Sequence, residues 1–168
     1  RKESKFDSSI WLQLATIGID NKPSVRTVVF RGWSKSYEME LYTDKRSQEY
    51  HELKLNNNVE ICWLFSKSKC QFRFRGTSSI ASDKYKLLHW EKLSDQSRSM
   101  SSWPTPGDHF VFDQTKDLSV KTNKELSYNF AVLKIDINQV DQLLIHKPIH
   151  IRRKWILTNE WKEERINP

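Results

Sequence analysis

The chain has 168 residues, a net charge of +7 and a pI near 9.4, and its 12% aromatic content, seven tryptophans included, excludes a disordered chain even though 29% of residues are charged. A single domain over residues 1–168 with its own core is expected at this length, and the basic balance points to anionic partners. No run of eighteen apolar residues is present, so no membrane span is expected, and Cys62 and Cys70 form no CxxC pair, which argues against a zinc or dithiol motif and fits a reducing, cytoplasmic setting.

From the N-terminus, Ile10, Leu12, Leu14 and Ala15 are spaced partly as a strand and partly as a helix, and "DNKPS" (20–24) reads as a turn. Residues 25–31, rich in Val and Phe, form the next strand. "EMELYTD" (38–44) alternates as a strand, and "KRSQEYHELKLNNN" then takes helical spacing. Ser47 is the expected N-cap, Tyr50 and Leu53 share one face, and the three asparagines end the helix. Residues 59–76 read as a hairpin. Val59, Ile61, Trp63 and Phe65 alternate with polar neighbours in its first arm, and Gln71, Arg73 and Arg75 alternate with Phe72 and Phe74 in its second, which "TSSIAS" extends. A helix capped by Ser82 is predicted over 83–95, polar irregular chain over 98–128, a strand over 129–137, and a closing hairpin over 152–166 around "TNE". Mostly strands with short helices, and no βαβ alternation, predict a mainly β antiparallel barrel with flanking helices.

The strand at 23–33 raises a question, because it holds Arg26 and Arg31 in an apolar run. Strand alternation places Arg26, Val28 and Phe30 on one face and Val25, Thr27, Val29 and Arg31 on the other. The two guanidinium groups are therefore either surface arginines or parts of an anion clamp, and a bulge is expected to settle their parity. The strand-to-helix junction "LYTDKRSQ" combines Thr43, Asp44, Lys45, Arg46 and Ser47 with the unpaired N–H groups of a helix start, which suits either a solvated turn or an anion site. Arg152, Arg153 and Lys154 make a basic cluster near Trp155 and Trp161, but no continuous basic stripe or aromatic RNA-binding motif accompanies it, so nucleic acid is not the expected partner. His146 and His150 stand four apart, yet Pro148 between them disfavours a helical metal pair, and no metal is expected. GxSxG, HExxH, Walker and GxGxxG motifs are absent from the sequence, which has only four glycines.

Four segments in order, "RTVVFRG", "LYTDKRS", "QFRFRG" and "RRKW…W…ERINP", are similar to those of the pyridoxamine 5′-phosphate oxidase family, the FMN-binding split barrels. The resemblance implies a split β-barrel homodimer with FMN between the subunits. Arg26 and Arg46 would neutralise its phosphate with Thr43 and Ser47, and Val28 and Val29 would offer backbone groups to the isoalloxazine edge. Arg31 would approach the ring, Gln71 would bond a ring carbonyl, and Arg153 would reach over from the closing hairpin. Thr27 and Tyr42 lie in the same matched segments and would join these contacts, while Arg31 and His150 would face substrate. The chain departs from the pattern in two places. Gln48 and Glu49 stand where the family offers Arg-Lys to the phosphate, and Ile149, His150 and Ile151 stand where the oxidases carry Arg-Leu-His for their substrate. The expected function is an FMN-dependent oxidoreductase of unassigned substrate. The alternatives are a non-catalytic flavin-binding protein and, behind it, a basic nucleic-acid module.

Overall fold

A computed structural model describes residues 10–111, 125–145 and 147–168. Eight antiparallel strands run β1 (Trp11–Ile17), β2 (Pro23–Trp33), β3 (Met39–Asp44), β4 (Asn58–Phe65), β5 (Cys70–Ile80), β6 (Phe130–Leu144), β7 (Ile151–Ile156) and β8 (Glu164–Ile166). Three helices, α1 (Gln48–Leu55), α2 (Asp83–Trp90) and α3 (Asp95–Ser99), are interspersed among them. The strand order is β3-β2-β1-β4-β5-β6-β7-β8, and β3 also pairs with β6, which closes six strands into a barrel. β6 makes the split. Its first part, Phe130–Ile135, pairs with β3, and its last part, Gln139–Leu144, carries β7 and then β8 beyond the barrel wall.

The strands follow the alternation in the sequence. Leu12 and Leu14 of β1, Met39 and Leu41 of β3, Ile61 and Trp63 of β4, and Leu133 and Ile135 of β6 point inward and are buried, while Leu53 of α1 packs into the same core. Burying each such side chain contributes about 1.5–3 kcal/mol. A second cluster forms outside the barrel, where α2 lays Trp90 against Phe130, Val132 and Ala81.

Several expected boundaries shift. The turn before β2 ends earlier than expected, since Pro23 already pairs with Ile17. The helix predicted over 83–95 stops at Trp90, and Ser94 caps a separate α3, its hydroxyl accepting from the Ser97 N–H. The strand predicted to end at 137 runs on to Leu144, because Asp141 inside it is neutralised by Arg73 and Arg152 at 2.8 Å each. The predicted irregular stretch 98–128 is described only in part. Residues 100–102 form a 3₁₀ turn leading into loop to 111, and the rest up to 124 lies outside the described residues.

The register of β5 against β6 shifts between Arg75 and Gly76. A Cβ on Gly76 would stand 2.1 Å from the Asp136 carbonyl oxygen, so the two backbones meet only because that residue has no side chain. Gly76→Ala is expected to force the strands apart at a cost of about 1–3 kcal/mol, read as a lowered urea midpoint.

Candidate functional site

The junction of β3 with α1 forms one corner of the barrel. β3 runs out through Thr43 and Asp44, and Ser47 caps α1 as expected, its Oγ accepting from the Tyr50 N–H at 3.4 Å. The Ser47 hydroxyl donates to the Asp44 carbonyl at 2.7 Å and lies 3.0 Å from the Thr43 hydroxyl. Thr43 in turn donates to Oε1 of Glu49 at 2.6 Å. Arg46 folds back on Asp44, with Nε 2.9 Å from Oδ1 and Nη2 2.7 Å from Oδ2, and its Nη1 donates to the Trp103 carbonyl at 2.9 Å. It therefore fastens the loop after α3 to this corner.

That loop, α2 and the barrel wall enclose a cleft of about 370 Å³, lined by Arg31, Tyr42 and Thr43 on one side and by Trp90, Met100 and Trp103 on the other. The Arg31 guanidinium lies 4.9 Å from the centre of the Tyr42 ring, a cation–π stack that aims positive charge at the cleft. The expected bulge is present between Phe30 and Gly32, where Gly32 takes φ +147°, a conformation suited to glycine, but it does not bring the two arginines together, and they point apart as the alternation has it. Behind the cleft wall the Tyr42 hydroxyl lies 2.9 Å from His89 Nδ1, and His89 Nε2 lies 3.8 Å from the buried Glu40, which also accepts from Tyr85. Burial lowers the His89 pKa, against the opposing pull of Glu40, which favours neutral imidazole there. The hydrogen bond to Glu40, aided by burial, pushes Tyr85 up to about 12. Burial also raises Tyr42, against Arg31.

Arg26 points the other way. Leu14 faces it across the β1–β2 pair, so its side chain enters the barrel end beneath α1. There its Nη2 pairs with Glu52 Oε2 at 2.7 Å and its Nη1 donates to Thr16. Arg26 thus forms an ion pair with Glu52 at one end of the barrel, an arrangement the sequence alternatives did not include. Val28 faces inward beside it, whereas Thr27 and Val29 lie on the outer face of β2. Gln71 and Arg153 project to opposite faces of the sheet, since Gln71 is level with Leu143 and then Arg152, while Arg153 is level with Gln142 and then Phe72. Within one chain they do not converge on the cleft. His150 is exposed just before β7, and His146 lies outside the described residues. Among the described residues no group of three His, Cys, Asp or Glu side chains is placed to hold a metal.

The basic cluster also divides. Arg152 and Lys154 share one face with Arg73 and Arg75 around a groove of about 290 Å³ that also contains Glu60 and Asp141. Arg153 points away and lies 3.3 Å from Glu163. Trp90, Trp103, Met100, Glu40 and His89 were not singled out in the sequence. The only signal for the four of them other than Glu40 was the segment "HWEKLSDQSRSMSSWPTPG", which supplies most of the cleft's outer wall.

FMN has two ends, and these residues suit them unequally. The aromatic cleft with Arg31 at its side fits a flat, electron-accepting ring. The phosphate end does not fit as it stands, because Arg26 is paired with Glu52, Arg46 with Asp44, and the Thr43 hydroxyl with Glu49.

The family model described as "Pyridoxamine 5′-phosphate oxidase, FMN-binding domain" matches residues 1–82. The chain is similar to pyridoxine/pyridoxamine 5′-phosphate oxidase 2 of Arabidopsis thaliana, at 31% identity across 98% of this chain and 90% of that protein. Among solved structures it resembles a pyridoxamine 5′-phosphate oxidase-related, FMN-binding protein of Nostoc punctiforme, with a TM-score of 0.89 and 29% identity over 97% of this chain and 90% of that one. It also shares the fold of PhzG from Burkholderia lata, with a TM-score of 0.86 at 17% identity over 96% and 84% of the two chains. Full-length similarity above 30%, the closed six-stranded barrel with its two added strands, and the matched strand–helix corner agree: the chain belongs to the pyridoxamine 5′-phosphate oxidase family of FMN-binding split barrels.

Proposed function

We propose that the chain is an FMN-binding oxidoreductase whose flavin ring lies against the Arg31–Tyr42 wall of the cleft. The observation that carries the reading is the Arg31 guanidinium stacked on Tyr42 beside an aromatic cleft, the two residues coming from the first two family-like segments. When bound, flavin supplies acceptance of a hydride equivalent, and the protein supplies orientation and charge. Arg31 would bear positive charge toward a bound ring and so favour the electron-rich form of the flavin. Trp90, Trp103 and Met100 would cover a bound ring from the other side, and the Tyr42–His89 hydrogen bond fixes the ring that carries Arg31.

The site is completed by a second copy of the chain. Trp11 is level with Val29 across β1–β2, Gln71 is level with Leu64 and Leu143, and Trp11 and Leu64 are half exposed on the outer face. An apolar row of this kind suits the core of an interface between copies, and it sets Gln71 at that interface to serve the partner's flavin. Arg153, on the opposite face of the added strands, reaches over from the closing hairpin.

The test is the visible spectrum of the purified protein, with release and identification of the chromophore, followed by turnover with pyridoxamine or pyridoxine phosphate. Flavin absorbance with FMN released, and peroxide formed on substrate addition, are the expected results. Protein that is colourless and takes up no added FMN overturns the reading. Bound flavin with no turnover on any amine or alcohol substrate leaves a flavin-binding protein without this activity.

A further inference from the structure

We propose that Glu49 sets which flavin the site prefers, by holding a carboxylate where a flavin phosphate would have to sit and so lowering the preference for FMN over riboflavin. The inference rests on the flavin reading above and deepens it. Proton accounting carries the argument. A hydroxyl has one proton to donate. That of Thr43 goes to Glu49 Oε1 at 2.6 Å, and that of Ser47 goes to the Asp44 carbonyl at 2.7 Å. Neither is left for a phosphate oxygen.

The guanidinium groups are similarly engaged. Arg46 donates to both Asp44 oxygens and to the carbonyls of Ser101 and Trp103. Arg26 donates to Glu52, Ser24 and Thr16. Lys45 turns aside, its ammonium 4.2 Å from the centre of the Tyr128 ring. Around the start of α1 three carboxylates, Asp44, Glu49 and Glu52, equal in number the three cations Arg26, Lys45 and Arg46. Asp44 and Glu52 are bound in structural ion pairs that hold the loop and plug the barrel. Glu49 alone has no cationic partner among the described residues, and its contact with Thr43 is the one a phosphate would displace.

A dianion entering this balanced corner must evict a like charge, so its gain over the uncharged end of riboflavin is small. In Glu49→Gln the amide removes that repulsion, keeps the side chain's shape and frees the cation excess of the corner.

The experiment titrates wild type, Glu49→Gln and Glu49→Ala with FMN and with riboflavin, following quenching of flavin fluorescence. The FMN-to-riboflavin affinity ratio is expected to rise about tenfold or more in both variants, with riboflavin binding changed less than about threefold. FMN binding that appears only in the variants also supports the inference. An unchanged or lowered ratio, with flavin bound by all three proteins, overturns the inference and leaves the flavin reading intact. Absence of binding of either flavin to all three overturns both.

Discussion

Arg26→Glu is expected to destabilise the folded chain by about 3–5 kcal/mol, the range for removing one partner of a buried ion pair. Glu52 is fully buried and accepts from Thr16 at 2.5 Å, from Gln48 at 2.8 Å and from Arg26 at 2.7 Å. Burial opposes its ionisation most strongly, but the hydrogen bonds from Thr16, Gln48 and Arg26 outweigh it and hold its carboxyl below the ordinary glutamate range. A depressed carboxyl stabilises the fold in full above its unfolded pKa, and that stability is lost as pH falls through the lowered value. Asp141, where burial is outweighed by Arg152 and Arg73, acts in the same sense. Wild type should therefore lose stability on acidification below the ordinary carboxylate range. In Arg26→Glu two carboxyls face each other, their pKa values rise, and the deficit relative to wild type should shrink as pH falls. Urea unfolding at neutral pH and in mild acid checks both statements. A neutral-pH deficit below about 1 kcal/mol would contradict the plug described here. Flavin loss in this variant would report on the fold before the phosphate corner, which is why Glu49 is the better probe of cofactor choice.

Trp90→Ala is the second large expected effect, a loss of about 3–5 kcal/mol. Trp90 is 1% exposed and its ring lies 5.3 Å from that of Phe130. Arg98 stacks 5.9 Å above it and donates to its carbonyl, tying α3 to α2. Truncation opens a cavity between α2 and β6 and removes part of the cleft wall, so flavin uptake should fall along with the unfolding midpoint, while Trp90→Phe should retain most of both. Stability within about 1 kcal/mol of wild type would show that the outer cluster does not hold α2 in place.

Alternation made most strands legible. Val59 to Phe65 and Gln71 to Arg75 follow the expected faces, and Ser47 and Ser82 cap the expected helices. What the sequence withheld were relations between distant residues. Glu52 reads as a solvated helical glutamate until Arg26 is found 2.7 Å away from a strand 26 residues earlier. Asp141 argues against a strand until Arg73 and Arg152 close on it. The divergence of Gln71 and Arg153 follows only from the two registers that join β5, β6 and β7. The closure of β3 on β6 joins segments roughly ninety residues apart, a distance at which local pattern carries no information.

That closure has a consequence for how the molecule meets its own kind. A strand with unsatisfied N–H and C=O groups along its rim invites another chain to add to it. Here β3 bonds on both sides, and the terminal strand of the order is β8, three residues long with Glu164 and Arg165 exposed. Such a rim is too short and too charged to template a neighbouring strand well, so among the described residues β8 offers little for another chain to add to.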